Sequence, residues 1–272
     1  MKHTEIVIQY EGKKSESGRL DLFDAAESLH GFTRVLNRIA HAFANDDDAR
    51  SKVPKPLNVK TYMTGAKKGC FETLIEIEFS EKVSRSMGPS VVIGNFWDYF
   101  TYTFSLGVGI EHHPTTSYLR KKIDKNEGHF DEIAAALEGY LTEVHRPIKS
   151  NEATTIAIVR PRVGQAILMN HRTLEYVGTT LKSNLIEYWI GNVTKYNILT
   201  GYGRAYIDEL GRTVPFNLID FDGDSHAHTS AAASMEEGAR MMGNGKREFG
   251  GYEVTNAAGL TKRLLINSIE EV

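Results

Sequence analysis

GYGRAYIDELGRTVPFNLI, residues 201–219, carries the pattern that decides the reading of this chain. Arg204–Ile207 and Arg212–Ile219 are short runs rich in β-branched and apolar residues, and Asp208-Glu209-Leu210-Gly211 between them is a turn. A third strand-like run, Ile190–Leu199, precedes them across Gly201-Tyr202-Gly203. Downstream, the loop Asp220–His228 opens a helix expected from Thr229 or Ser230 to Met242. Ala232, Met235, Ala239 and Met242 form its apolar stripe, and Gly243-Asn244-Gly245 stops it. Two more strands, Arg247–Val254 and Leu260–Ile269, flank Asn256-Ala257-Ala258-Gly259.

The resulting order, β-β-β-α-β-β, is similar to that of the OB fold, a five-stranded Greek-key barrel with a helix between its third and fourth strands. The resemblance rests on element order and hydrophobic texture. An SH3-like barrel, or an antiparallel sheet with one helix, reads much the same from sequence. Residues 186–272 are therefore expected to form a small OB-like β-barrel.

Upstream the texture changes. Residues 4–10 alternate as a strand does, and Leu22, Ala26, Leu29, Phe32, Leu36, Ile39 and Phe43 recur at helical spacing, with Asp24 and Glu27 expected to cap that helix. Residues 57–63 and 70–79 predict a β-hairpin, with Glu72, Glu76 and Glu78 on a solvated side. Pro89–Ile110 is the most apolar stretch and approaches the length of a membrane span, but it contains Asp98. An ionised carboxylate at a bilayer centre costs about 2.5–3.5 kcal/mol, so a buried core helix is the reading. A second amphipathic helix carries Phe130, Ile133, Leu137, Leu141 and Val144 and is expected to stop at Pro147, before a strand at 154–159 and a helix around 171–182. The whole predicts an α+β chain: an N-terminal domain at 1–150 containing the buried helix 89–110, a connecting segment at 151–185, and the barrel at 186–272.

Gly18-Arg19-Leu20-Asp21, Ala25-Ala26-Glu27-Ser28-Leu29-His30-Gly31-Phe32 and the strand entry Gly69-Cys70-Phe71 resemble a set of uncharacterised prokaryotic proteins. That resemblance implies no activity, ligand or catalytic residue.

The 272 residues are 41% hydrophobic and 25% charged, as in an ordinary folded protein, and the formal charge of −3 gives no field that would gather nucleic acid indiscriminately. The single cysteine, Cys70, excludes an internal disulfide and multi-cysteine zinc sites, and reads as a small hydrophobe at a strand start. The N-terminal residues turn polar again at Gln9 and Glu11 and so lack the apolar run of a signal peptide; the cytoplasm is the expected address.

No GxxxxGK[ST], GxSxG or HExxH motif occurs. Two clusters remain. Asp220, Asp222, Asp224, His226 and His228 fall at every second position, which in an extended segment would set all five on one side, as ligands for a divalent metal; a solvated loop capping the next helix is the alternative. Lys195, Tyr196, Tyr202, Arg204, Tyr206, Arg212, Lys246, Arg247, Lys262 and Arg263 supply the aromatic and basic groups that stack on and neutralise a nucleic-acid strand. Against this, residues 186–272 hold eight Lys/Arg and twelve Asp/Glu, a balance of −4. The leading reading is a non-enzymatic binding or assembly protein whose barrel contacts a nucleotide, a nucleic acid or a protein partner, self-association included. The rivals are a metal-dependent hydrolase built on 220–228 and a protein that inserts 89–110 into a membrane or partner. No cofactor is firmly indicated, and a divalent metal is the one that the 220–228 cluster suggests.

Overall fold

β1 (Lys2–Glu11) buries Ile6, Ile8 and Tyr10 on one side and pairs antiparallel along its length with β3 (Phe71–Phe79). In the computed structural model, which describes residues 2–48, 50, 53–67, 71–178, 181–221, 223–241, 243–256, 259 and 261–272, this pair seeds a five-stranded antiparallel sheet. β2 (Val59–Lys67) lies outside β3, and β4 (Thr155–Arg160) and β5 (Gly164–Met169) extend the other edge, giving the order β2-β3-β1-β4-β5. The chain divides into two compact units with the boundary at Val177 and Gly178. Residues 151–177, expected to act as a connector, are thus part of the N-terminal unit, because β4 finds its hydrogen-bonding partner in β1. Cys70 lies outside the described residues.

Helices cover the buried side of this sheet. α1 (Leu22–Ala44) starts at Asp21, whose carboxylate accepts from the Phe23 and Asp24 amides at 2.9 and 3.2 Å. The cap therefore lies three residues before the expected Asp24. That residue is buried instead, and its carboxylate takes the Arg146 Nε at 2.8 Å. α2 (Glu81–Met87) is short and capped by Ser80. α3 (Val92–Val108) is buried on nearly every face, as its composition predicts. Phe43 of α1 is the aromatic hub: its ring meets Phe79, Phe96, Tyr99 and Tyr118 edge-on at centroid distances of 5.4–5.7 Å. Among the described residues no helix is long and apolar enough to cross a membrane. α4 (Ser117–Val144) is capped by Thr116 and places Phe130, Ile133, Leu137, Leu141 and Val144 in the same core. Pro147 sits in the first turn of a further short helix, α5 (Arg146–Lys149), where its missing N–H costs nothing. α6 (His171–Gly178) closes the unit.

The charge inside α3 has a structural purpose. Asp98 receives His112 Nε2 at 2.9 Å, the Thr115 amide at 3.0 Å, and both the amide and the hydroxyl of Thr116 at 2.7 Å. Burial pushes its carboxyl up, but the hydrogen bonds from His112, Thr116 and Thr115 outweigh burial and hold it below the usual carboxylate value. One ionised side chain thus fastens the 110–116 loop and the start of α4 to the middle of α3.

The C-terminal unit begins with β6 (Leu181–Lys182) and continues as β7 (Glu187–Asn197), β8 (Tyr202–Ile207), β9 (Arg212–Leu218), α7 (Ser225–Arg240), β10 (Lys246–Thr255) and β11 (Thr261–Glu271). β7, β8 and β9 pair antiparallel in sequence; β10 returns to β7, and β11 pairs antiparallel with β10 and parallel with β9. The ring β9-β8-β7-β10-β11-β9 is therefore a closed five-stranded barrel of OB-like connectivity, with β6 added on β10. Val193, Ala205, Ile207, Val214, Phe216, Phe249, Leu264 and Ile266 fill its interior, with Ala227 and Ala231 of α7 packed against them.

Two outcomes test this packing. Asp98→Asn keeps the shape but replaces acceptor oxygen with a donor, and is expected to cost about 2–3 kcal/mol in urea unfolding; a change within about 0.5 kcal/mol would contradict the anchoring role. His145 is enclosed, with Nδ1 on the Leu141 carbonyl at 2.7 Å and Nε2 on Thr173 Oγ1 at 2.8 Å, and burial pushes it down to about 4 despite the Leu141 contact. The unfolded chain takes up that proton near pH 6.5 and the folded one resists to about 4, so this residue withdraws up to about 3 kcal/mol of stability as pH falls through that window. Urea midpoints of wild type and His145→Gln measured from pH 7 to 4 should converge as pH falls; parallel curves would refute the assignment.

Candidate ligand face of the barrel

β8 alternates strictly. Gly203, Ala205 and Ile207 point into the barrel, so Tyr202, Arg204 and Tyr206 stand together on its outer wall. Register places neighbours on both sides: Asn197, Tyr202 and Asn217 form one cross-strand row, Lys195, Arg204 and Pro215 the next, and Asn192, Tyr206 and Thr213 the third. Tyr206 is 42% exposed. Arg263 lies on the outward side of β11 just before Leu264, the partner of Phe216, and so at the level of Pro215.

A bulge decides which of two adjacent candidates reaches this wall. Strict alternation from inward Val193 would turn Lys195 inward and Tyr196 outward. The register shift between Val193 and Lys195 reverses them, placing Lys195 opposite Arg204 and Tyr196 opposite Gly203. Tyr196 stacks on Phe216 with centroids 6.1 Å apart and planes 8° from parallel. Gly203 leaves room for that stack, since a Cβ there would fall 2.3 Å from the Phe216 ring. Burial, with Asp224 nearby, pushes the Tyr196 phenol up to about 12. It remains a donor and bonds His228 Nδ1, while Nε2 of the same imidazole donates to the Phe221 carbonyl at 2.8 Å.

The other basic candidates are placed elsewhere. Arg212 donates to the Thr261 carbonyl at 2.7 Å, Lys246 pairs with Asp208, and Arg247 is buried in a two-point pair with Glu237 at 2.8 and 3.0 Å. Lys262 is buried. Lys195, Tyr202, Arg204, Tyr206 and Arg263 are thus the members of the sequence-derived set that share the outer wall. Among the described residues, the acidic side chains of 186–272 belong to other segments: the Asp208-Glu209 turn, α7, β10, the ends of β7 and β11, and Asp220 and Asp224. The strands' own outward positions, from Ile190 to Asn197 on β7 and along β8 and β9, are cations and neutral groups.

Residues 225–228 are helical and not extended. α7 begins at Ser225, four or five residues earlier than expected, because Asp224 accepts from the Ala227 amide at 2.9 Å and caps it. Two residues apart on a helix means about 200° of rotation, so His226 and His228 diverge. His226 meets Glu270 of β11 at 3.0 Å, while His228 has both ring nitrogens engaged as described. Asp220 accepts from the Gly223 amide at 3.1 Å, and Asp222 lies outside the described residues. Among the described residues no three His, Cys, Asp or Glu side chains are grouped to hold a metal ion.

The outer tyrosines and the inner one should separate in stability. Tyr196→Ala removes a core ring and is expected to cost roughly 2 kcal/mol or more, whereas Tyr206→Ala should stay within about 0.5 kcal/mol. Equal losses in chemical denaturation would contradict the inward and outward assignment.

No curated protein sequence and no solved structure matches this chain. A family model described as a domain of unknown function, DUF7946, matches residues 6–178, and so ends where the barrel unit begins. Residues quoted above from the N-terminal segment have structural duties within that match. Asp21 caps α1; the Ser28 hydroxyl donates to the Val144 carbonyl at 2.8 Å; Gly31 lets α4 approach, a Cβ there falling 2.5 Å from the Tyr140 carbonyl oxygen. With most of its length covered by that model, the chain belongs to the DUF7946 family.

Proposed function

We propose that this is a binding protein rather than a catalyst, and that its C-terminal barrel holds single-stranded nucleic acid on the outer wall of β7, β8 and β9. The observation that carries this reading is the alternation Tyr202, Arg204, Tyr206 on one strand face, with Lys195 beside Arg204 in the cross-strand row. Phenol rings accept bases by stacking, worth about 1–3 kcal/mol per base, and the cations neutralise phosphate between them. The second and third strands of an OB-like barrel, here β8 and β9, are the wall that such folds use for oligonucleotides. The acidic balance of the unit as a whole means that binding comes from contact at this wall and not from a long-range field.

Fluorescence anisotropy with a labelled single-stranded oligonucleotide at low salt tests this directly. Tyr202→Ala should weaken binding roughly 5- to 100-fold, and Arg204→Ala should lower the salt slope by about one. Absence of binding, or unchanged affinity in both variants, would overturn the proposal.

A further inference from the structure

Resting on that reading, the geometry points to a narrower ligand: we infer that the wall takes an unstacked single strand of at least about three nucleotides and discriminates against mononucleotides and duplex. Tyr202 and Tyr206 are four residues apart on one straight strand, and at the usual rise this sets their side chains about 13 Å apart. Bases stacked on one another advance only about 3.4 Å per nucleotide, so two neighbouring stacked bases cannot lie on both rings. A chain that covers both must be drawn out, with at least one nucleotide between the two that stack.

The charges fit the same arrangement. Arg204 is midway between the rings on β8, and Lys195 is its cross-strand neighbour, so both cations face the sugar-phosphate link and not the bases. Arg263 extends this basic row on the far side of Pro215. In the cross-strand row of each ring are short neutral polar residues, Asn197 and Asn217 at Tyr202 and Asn192 and Thr213 at Tyr206, of the kind that hydrogen-bond a base edge. The turn leading into Tyr202 carries Ile198, 64% exposed, and Leu199, 81% exposed, which enlarge the apolar platform at that end. A mononucleotide engages one ring and one cation. A duplex keeps its bases paired and offers no ring face.

Competition against a labelled single strand decides the matter, using unlabelled thymidylates of one to about six nucleotides and a duplex of similar length. The expected result is weak displacement by the mono- and dinucleotide, a rise of about tenfold or more once the chain spans both rings, and a duplex weaker by a similar factor. Tyr206→Ala should erase the rise, so that the longest thymidylate competes no better than the dinucleotide, and Ile198→Ser/Leu199→Ser should weaken long and short ligands alike. A mononucleotide that competes within about threefold of the longest thymidylate, in a protein where Tyr202→Ala still weakens binding, would overturn this inference and leave the binding wall standing. If no thymidylate of any length displaces the probe because the probe itself does not bind, the broader reading falls with it.

Discussion

The parallel pairing of β11 with β9 is the constraint on which the C-terminal unit depends. Leu264 opposite Phe216 and Ile266 opposite Leu218 close a ring that the other strands leave open, and β11 also pairs with β10. Closure fixes register around the circle, and register fixes which side chains face out. Phe216 is central to it: Tyr196 stacks on one side, Phe249 packs at 5.9 Å, and Gly203 gives way beneath the ring. The outward row Tyr202, Arg204, Tyr206 is the other side of that same core. The register of the inner residues thereby sets the register of the outer ones.

Strand alternation was the legible part of the sequence. The order of β7 to β11 and the helix among them followed from local patterns, and so did the buried character of α3 despite Asp98. Less legible were features set by long-range pairing. Thr155–Arg160 looks like any strand, and nothing local says that it binds β1 from nearly 150 residues away. The 220–228 cluster shows the opposite failure. Its two-residue spacing suits a strand, yet Asp224 caps a helix from that point, and the alternation of acids and imidazoles loses its meaning. The strand bulge after Val193 is likewise silent in sequence, so Lys195 and Tyr196 could not be told apart as surface and core. Summed charge is silent for a related reason: a balance of −4 says nothing about where the carboxylates fall.

The N-terminal unit, which the family model covers, has the buried helix α3 at its core. Asp98 and Asp24 are buried carboxylates whose partners come from other elements, His112, Thr115 and Thr116 for one and Arg146 for the other. Such pairs cost desolvation and return it only when fully hydrogen-bonded, as Asp98 is. They fix which loop meets which helix. The family match thus covers a unit of defined register, and the barrel lies beyond that match.

Hydrogen exchange measured with and without a single-stranded oligonucleotide tests the central claim most directly, because it reports where the ligand sits without any substitution. Slowed exchange confined to 190–197 and 202–218, with the N-terminal sheet unchanged, is the result this account requires. Protection that appears only in the N-terminal unit or on α7, with these strands unaltered, would contradict it.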